Sequence, residues 1–329
     1  MPRVRQVLLR LACLALPLLA SLTTPQPASA QTYPDRPIRM LVPFPSGGSI
    51  DPVARILAQK INEDWGQSVI VDNRPGGNTI IGTEALARST PDGYTILITA
   101  STHVINALLM NNLPYDSDKD FIPVATLYRS EFLLLVHPSV PAQNLQQFIA
   151  LAKTKPGALN YAISGNGNAN QLAGELFNMT AGVQLSSVPY KGGGPAITDL
   201  LGGQVQAMFS VPVSVIGQVK AGKLRALAYT GASPLSSLPD VPTFAQAGLP
   251  GFDIKSWVGI MVPAGTPKPI VDKLAAEIGR ILAMSDVKAR LEEQGQDPFI
   301  QTPSQFSALI AADREKYASI IRAAHIKLD

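Results

Sequence analysis

Cysteine is all but missing from this chain: there is one among 329 residues, Cys13, and it lies in an apolar run near the start. A single thiol excludes a disulfide framework and a Cys-based metal site. Histidine is almost as scarce. His103, His137 and His325 are the three present, and none stands at metal-ligand spacing from another. No G-x-S-x-G occurs, so a nucleophile elbow is not supported, and no pair of carboxylates stands out for acid–base work. An excess of one charge is lacking too. The 27 Lys and Arg face 24 Asp and Glu, and three of the basic residues (Arg3, Arg5, Arg10) fall in the first thirty positions. Without those three the chain is formally neutral. It has no basic stripe for nucleic acid and no polybasic surface for a membrane.

Long apolar runs are absent beyond the start. There, a basic opening, an apolar stretch at 11–22 and the small-residue end Ala28-Ser29-Ala30 form the pattern of a cleavable secretory signal over residues 1–30, with the mature chain beginning at Gln31. The apolar stretch is short for a membrane span. Arg10 stands where a small or apolar residue is expected before a lipidated cysteine, which argues against an anchor at Cys13. An exported, cysteine-free chain of about 300 residues is large enough to hold itself with an ordinary core.

What the chain does contain is alternation. Strand-like runs at 38–43, 69–71 and 94–99 are each followed by a helical pattern, at 52–65, 79–88 and 104–110. In "FIPVATLYRSEFLLLVHPSV" two strand-like runs follow each other with no helix between, as at a crossing from one domain to another. Alternation then resumes, with helices at 145–153, 169–180, 195–201 and 212–221 and strands at 160–163, 187–188, 204–209 and 224–229. The Gly/Ser/Pro-rich "TGASPLSSLPDVPTF" reads as the return, and the C-terminal part is helical, with Ile270, Leu274, Ile278 and Ile281 on one face. The pattern is that of α/β architecture with parallel sheets. It gives one domain from residues 31–128 and 232–329, and another from 129–231.

Five strand-to-helix turns are rich in Gly, Ser, Asn and Thr. The first is "VPFPSGGSIDPVAR", where Asp51 precedes Pro52; proline suits the first helical turn, so Asp51 is expected as the N-cap, or as an acid that reads a ligand. The second is "VDNRPGGNTIIG". The third is "LITASTHVIN", where Ser101, Thr102 and His103 follow a strand. The fourth, "YAISGNGNANQLAGELF", imitates a dinucleotide fingerprint, but Asn170 occupies the third glycine position and residues 180–198 hold no acid to receive a ribose. The fifth is "VPYKGGGPAITDLL", whose spacing is wrong for a phosphate loop. A helix N-terminus offers free N–H donors and partial positive charge to an anion. One such turn is weak on its own. Five together point to two sheets whose carboxyl ends face each other across a ligand cleft.

These motifs, with "YPDRPIRMLVPFPSGGSIDPVAR", "TPDGYTILI", "VPYKGGGPAITDLLGGQVQAMF" and "LPDVPTFAQAGLPGF", resemble the Bug family, the periplasmic solute receptors of tripartite tricarboxylate transporters, over residues 33–328. The resemblance implies a two-domain Venus-flytrap fold of the periplasmic binding-protein type, with two crossing strands as its hinge. It implies no catalysis and no cofactor or metal. The ligand would be a small carboxylate: a dicarboxylate, tricarboxylate, acidic amino acid or aromatic acid. The partners would be the membrane subunits of the transporter, and the receptor would be a periplasmic monomer. Carried onto this chain, the ligand contacts would be Phe44, Ser46, Gly47, Gly48 and Asp51, with Thr79 or its neighbours and Ser101, Thr102 and His103. From the second domain they would be Ser164, Asn166, Gly167, Asn168, Tyr190 and Lys191, with Ser210 in addition. Ser46 departs from a common proline, the run at 76–78 from a more glycine-rich one, and Gln171 from a common His. Competing readings are a receptor feeding a sensor kinase and an exported α/β enzyme.

Overall fold

Aliphatic runs bounded by glycine turns become strands, and the 3.6-period stripes between them become helices. The computed structural model describes residues 33–326; the expected signal segment with Cys13 lies outside the described residues. The chain divides into Met1–Asp35 and Arg36–Asp329, and the following concerns the second unit. In chain order it runs β1 (Ile38–Val42), α1 (Asp51–Trp65), β2 (Val69–Asn73), α2 (Ile80–Ala87), β3 (Thr95–Ala100), α3 (Thr102–Leu109) and β4 (Phe121–Ser130). Next come β5 (Leu133–Val136), α4 (Leu145–Thr154), β6 (Asn160–Ile163), α5 (Ala169–Ala181), β7 (Ser186–Pro189), α6 (Gly193–Leu201), β8 (Ala207–Ser210), α7 (Ile216–Lys220) and β9 (Arg225–Tyr229). The chain closes with β10 (Ser256–Pro263), α8 (Lys268–Ala283), α9 (Ser285–Glu293), β11 (Asp297–Pro298) and α10 (Pro303–Ala323).

Two mixed sheets result. The first has the order β11-β4-β10-β3-β1-β2 and the second β7-β6-β8-β5-β9. Strands β1, β2 and β3 are mutually parallel, as are β6, β7 and β8, so the turns that follow them gather at one edge of each sheet. Strand β10, with seven of its eight residues buried, lies antiparallel between β3 and β4. It is absent from the elements expected above. Two further departures have local causes. Strand β8 begins at Ala207 rather than 204 because the chain turns at Gly203, whose φ is +71°. The helix expected at 212–221 breaks into a 3-10 turn, Pro212–Ser214, and the short α7.

The chain passes from the first sheet to the second through Glu131 and Phe132. It leaves the second after β9, through Thr230. These two passages are bonded to each other: Phe132 N–H donates to Thr230 Oγ1 at 2.8 Å, and Thr230 N–H to the Phe132 carbonyl at 3.0 Å. The return segment does not go straight back to the first sheet. Leu235, Leu238 and Val241 join the apolar cluster of Leu133, Leu200 and Met208, and Phe244 and Phe252 pack on Phe177 and Phe209. Apolar burial thus packs much of residues 235–252 against the second sheet. Helix α10 then lies on β4 and α3 of the first sheet and reaches α5 of the second.

Candidate functional site

Each expected turn is tied by hydrogen bonds to the next. In the first, Asn73 at the end of β2 donates to the Phe44 carbonyl at 3.2 Å and to Asp51 Oδ1 at 3.0 Å, which joins the turn after β1 to the turn after β2. In the second, the buried Asn106 of α3 donates to the Asn78 carbonyl at 2.7 Å and accepts from Asn78 Nδ2 at 2.7 Å, which joins the turn after β2 to the helix after β3. The same Asn78 amide donates to the carbonyls of Asn166 and Gly167 at 3.2 and 3.4 Å, crossing from the first sheet to the second. Within the second sheet, Gly192 N–H donates to the Ser164 carbonyl at 3.1 Å, joining the turns after β6 and β7. The two carboxyl edges thus meet at Asn78, with Asn166 and Gly167 opposite.

The loop at this meeting point carries unusual backbone. Asn78 and Thr79 both lie in the left-handed region, at φ of +51° and +78°. Asn tolerates that region, but a β-branched Thr does not, and such strain persists only where surrounding bonds over-determine it. Here Asn106 supplies them, with a further contact of 3.4 Å to Thr79 Oγ1. Helix α2 begins directly after this loop and sits close under the first turn. A Cβ at Gly82 would come within 2.7 Å of Pro43 Cβ and 3.2 Å of the Arg74 carbonyl, so glycine is what lets α2 approach.

Asp51 is not the N-cap. That position is Ile50, without a side-chain cap, and Asp51 is the first helical residue. Residues 48–50 already bend into helical turns, Gly48 N–H bonding to the Pro45 carbonyl and Asp51 N–H to the Gly48 carbonyl. The Asp51 carboxylate instead closes the glycine turn, accepting from Gly47 N–H at 3.1 Å, Arg55 Nε at 2.9 Å, Asn73 at 3.0 Å and Ser46 Oγ at 3.4 Å. The Gly47 and Gly48 amides, expected as free donors, are therefore already bonded. Burial alone would raise the Asp51 pKa, but the bonds from Arg55, Asn73 and Gly47 outweigh it and hold the carboxyl below its usual 3.8. A group whose pKa falls on folding stabilises fully above its unfolded value, and that stabilisation is lost as pH drops through the folded value. Asp51→Asn is accordingly expected to cost about 2 kcal/mol near neutral pH. That cost should shrink as pH is lowered below about 4, where the unfolded and then the folded carboxyl takes up its proton, in urea-melt comparisons. A cost independent of pH would assign the effect to packing.

Other expected contacts divide. Asn168 is a true N-cap of α5, accepting from Gln171 N–H at 3.2 Å and donating to Ser164 Oγ at 2.9 Å, while Gly167 N–H donates to Gln171 Oε1 at 2.7 Å. Ser164, Asn166, Gly167, Asn168 and Thr79 are thus brought together with Asn78. Phe44, Ser46, Gly47 and Gly48 lie on the adjoining turn. Tyr190 is bonded through its N–H to the Ile163 carbonyl, but its phenol donates to Asp199 at 2.8 Å. Lys191 is exposed, and Thr102 and Ser210 are buried at the start of α3 and the end of β8.

Two are placed elsewhere. Ser101 is fully buried, with its Oγ 2.7 Å from Ser256 Oγ and its N–H on the Trp257 carbonyl, so its polar atoms serve the β3–β10 seam. His103 is enclosed by Tyr115, stacked at 6.4 Å, and Phe121, edge-on at 5.2 Å, with Nε2 3.1 Å from the Ser117 carbonyl. Burial pushes its pKa below the usual imidazole value, and it is a core side chain. Conversely, Asn73 and Asn106 hold the site together and are outside the expected set. Asn73 ends a strand just before a glycine turn, a legible signal. Asn106 sits inside an apolar helical stretch and has none.

The arginines of the first two turns are already paired. Arg55 is bound to Asp51, and Arg74 donates to Asp72 at 2.9 Å, where Arg39 also binds. Among the described residues, no group of His, Cys, Asp and Glu is placed to hold a metal, and no helix is long and apolar enough to cross a membrane.

A family model described as "Tripartite tricarboxylate transporter family receptor" matches residues 53–326. Protein BugT of Bordetella pertussis is 38% identical over 304 residues, spanning 92% of this chain and 93% of that protein. Among solved structures, Rpa4515 of R. palustris with adipate is similar at a TM-score of 0.84 and 33% identity, covering 90% of this chain and 99% of that one. MatC from Rhodopseudomonas palustris with bound malate is similar at a TM-score of 0.79 and 32% identity, covering 88% and 100%. The α/β fold expected from the motifs, that of a two-domain periplasmic binding protein, is the fold these structures share with this chain.

Proposed function

The chain belongs to the tripartite tricarboxylate transporter receptor family, and from that premise we propose that it is a periplasmic receptor which closes on a small dicarboxylate between its two sheets and hands it to the membrane subunits of a tripartite transporter. The observation that carries the reading is the bonded chain of turns, in which Asn78 reaches from the end of the first sheet to Asn166 and Gly167 of the second. A ligand held at that meeting point touches both lobes and stabilises the closed state. Two relatives with adipate and malate bound support a dicarboxylate over a phosphate or nucleotide. Opening is assigned to the paired passages at Phe132 and Thr230, with residues 235–252 moving with the second lobe. Export through cleavage before Gln31, and function as a monomer, complete the reading.

Calorimetry and thermal melts with adipate and malate test it. A dicarboxylate at a hundred times its Kd should add about 2.7 kcal/mol, a rise of roughly 4 °C in a chain of this size. If no di- or tricarboxylate, acidic amino acid or aromatic acid shifts the melt, the carboxylate reading is overturned.

A further inference from the structure

A cavity of about 370 Å³ opens on the two passages between the sheets, and none of the residues expected at the cleft lines it. Its walls come from four distant stretches of chain: Arg129 and Glu131 at the first passage, Tyr229 and residues 231–236 at the second, Lys255 before β10, and Gly295–Asp297 around β11. The first passage and the stretch before β10 each contribute a cation, and the deep side contributes acceptors.

Two of those acceptors are deeply buried, and one of them has no partner. Gln296 is 2% exposed; its Nε2 donates to the Ser49 carbonyl at 3.0 Å, and its Oε1 has no partner. Glu131 is 5% exposed, and the bond its carboxyl accepts from the Tyr229 phenol is a long one, at 3.4 Å. Buried polar atoms of native proteins are nearly always satisfied, by protein, water or ligand. On the other wall, Arg129 lies over the Phe299 ring at 3.5 Å, and Lys255 is paired at 3.8 Å with Asp253. Acceptors in the cavity wall suit N–H or O–H donors, and Arg129 and Lys255 set positive charge beside them. Asp297, in register with Arg129, and Glu292 complete the charged surroundings.

We propose that this cavity is a second ligand site, distinct from the cleft, which takes a free amino acid as its zwitterion: the ammonium on Glu131 and Gln296 Oε1, the carboxylate on Arg129 and Lys255. Its volume is within the range of small-molecule sites. Its chemistry matches neither a dicarboxylate, which would meet Glu131 and the Gln296 oxygen, nor a simple amine, which would use neither Arg129 nor Lys255. Burial, and secondarily the charge of Asp297, raise the Glu131 pKa, while Lys255 and Arg129 oppose them. An ammonium group favours the ionised form, so binding strengthens as pH rises through the range in which Glu131 loses its proton. Because the site spans both passages, its occupant favours one hinge state over another and acts as an effector, not as cargo.

The test is calorimetry on the mature chain with L-serine, L-glutamine and L-arginine, each alone. L-lactate, which lacks the ammonium, and ethanolamine, which lacks the carboxylate, serve as controls. Expected is binding of at least one amino acid, ten-fold or more tighter than either control, not competed by adipate, and weakened at least ten-fold by Glu131→Gln and by Lys255→Met. Should Glu131→Gln fail to fold, Lys255→Met at the outer wall decides. The site is overturned if no amino acid binds up to about 20 mM. It is also overturned if a bound amino acid is displaced by adipate, or is indifferent to the Lys255 substitution. An amino-acid signal that persists where adipate gives none supports this site even as it counts against the dicarboxylate reading of the cleft.

Discussion

Truncating Phe177 to Ala should lower the stability of the protein by about 4 kcal/mol, within the range for a buried Phe cut to Ala. The ring is fully buried on α5 and meets four others: Phe148 at 6.1 Å, Phe209 at 5.9 Å, Phe244 at 6.4 Å and Phe252 at 6.1 Å. Phe148 and Phe209 belong to the second sheet's layers, whereas Phe244 and Phe252 belong to the return segment, so one side chain fastens three parts of the molecule. The cavity left behind is walled by rings whose own packing limits collapse, since Phe244 and Phe252 already lie 4.2 Å apart. A fall of roughly 6 °C in melting temperature follows from the size scaling. Adipate affinity measured well below the melt should change much less, because the turn at the start of α5 is held by its own bonds through Asn168 and Gln171. A loss below about 1 kcal/mol would mean that the aromatic cluster does not seat the return segment.

That cluster also shows what the sequence could and could not disclose. The glycine turns were legible because backbone chemistry is local: a strand end, a run of Gly, Ser and Asn, then a helix start. Their convergence followed from parallel pairing. Strand β10 was not assigned, although "SWVGIMVP" is an apolar run of strand length, because it follows a long irregular segment rather than a helix. The packing of the return segment is illegible for a related reason: the partners of Phe244 and Phe252 are some 35 to 75 positions away, and nothing in "TGASPLSSLPDVPTF" says which sheet will bury them. Among site residues, Asp51 was legible as important but not in its bonding. Its proline neighbour suggested a cap, while the geometry spends the carboxylate on Gly47, Arg55 and Asn73. His103 stood beside Ser101 and Thr102 in sequence, yet a helical residue at its position faces Tyr115 and Phe121 instead. The cavity at the passages was invisible altogether, since its walls meet only after both sheets form.

Replacing Asn106 with Leu should do what the Phe177 change does not: weaken dicarboxylate binding far more than its size suggests. The two side chains share the same heavy-atom branching, so the change chiefly removes hydrogen bonding. Asn106 is fully buried, and its amide both receives the Asn78 side chain and supports the Asn78 carbonyl, each at 2.7 Å. Leucine leaves those groups without a buried partner, at about 1–3 kcal/mol for each. It also removes what keeps Asn78 and Thr79 left-handed, a geometry that costs on the order of 1–2 kcal/mol per non-glycine residue. The loop then relaxes toward negative φ, and Asn78 Nδ2 leaves the carbonyls of Asn166 and Gly167. Expected are a stability loss of about 2–3 kcal/mol in urea melts and a fall in adipate affinity of roughly 10- to 100-fold. A cycle with Thr79→Gly separates the two effects, since glycine takes the left-handed conformation without strain. If strain release is the mechanism, Thr79→Gly recovers part of the affinity in the Asn106→Leu background and adds little to the wild-type chain. Unchanged adipate affinity in Asn106→Leu would remove the 77–79 loop from the site and leave Asn106 a core residue only.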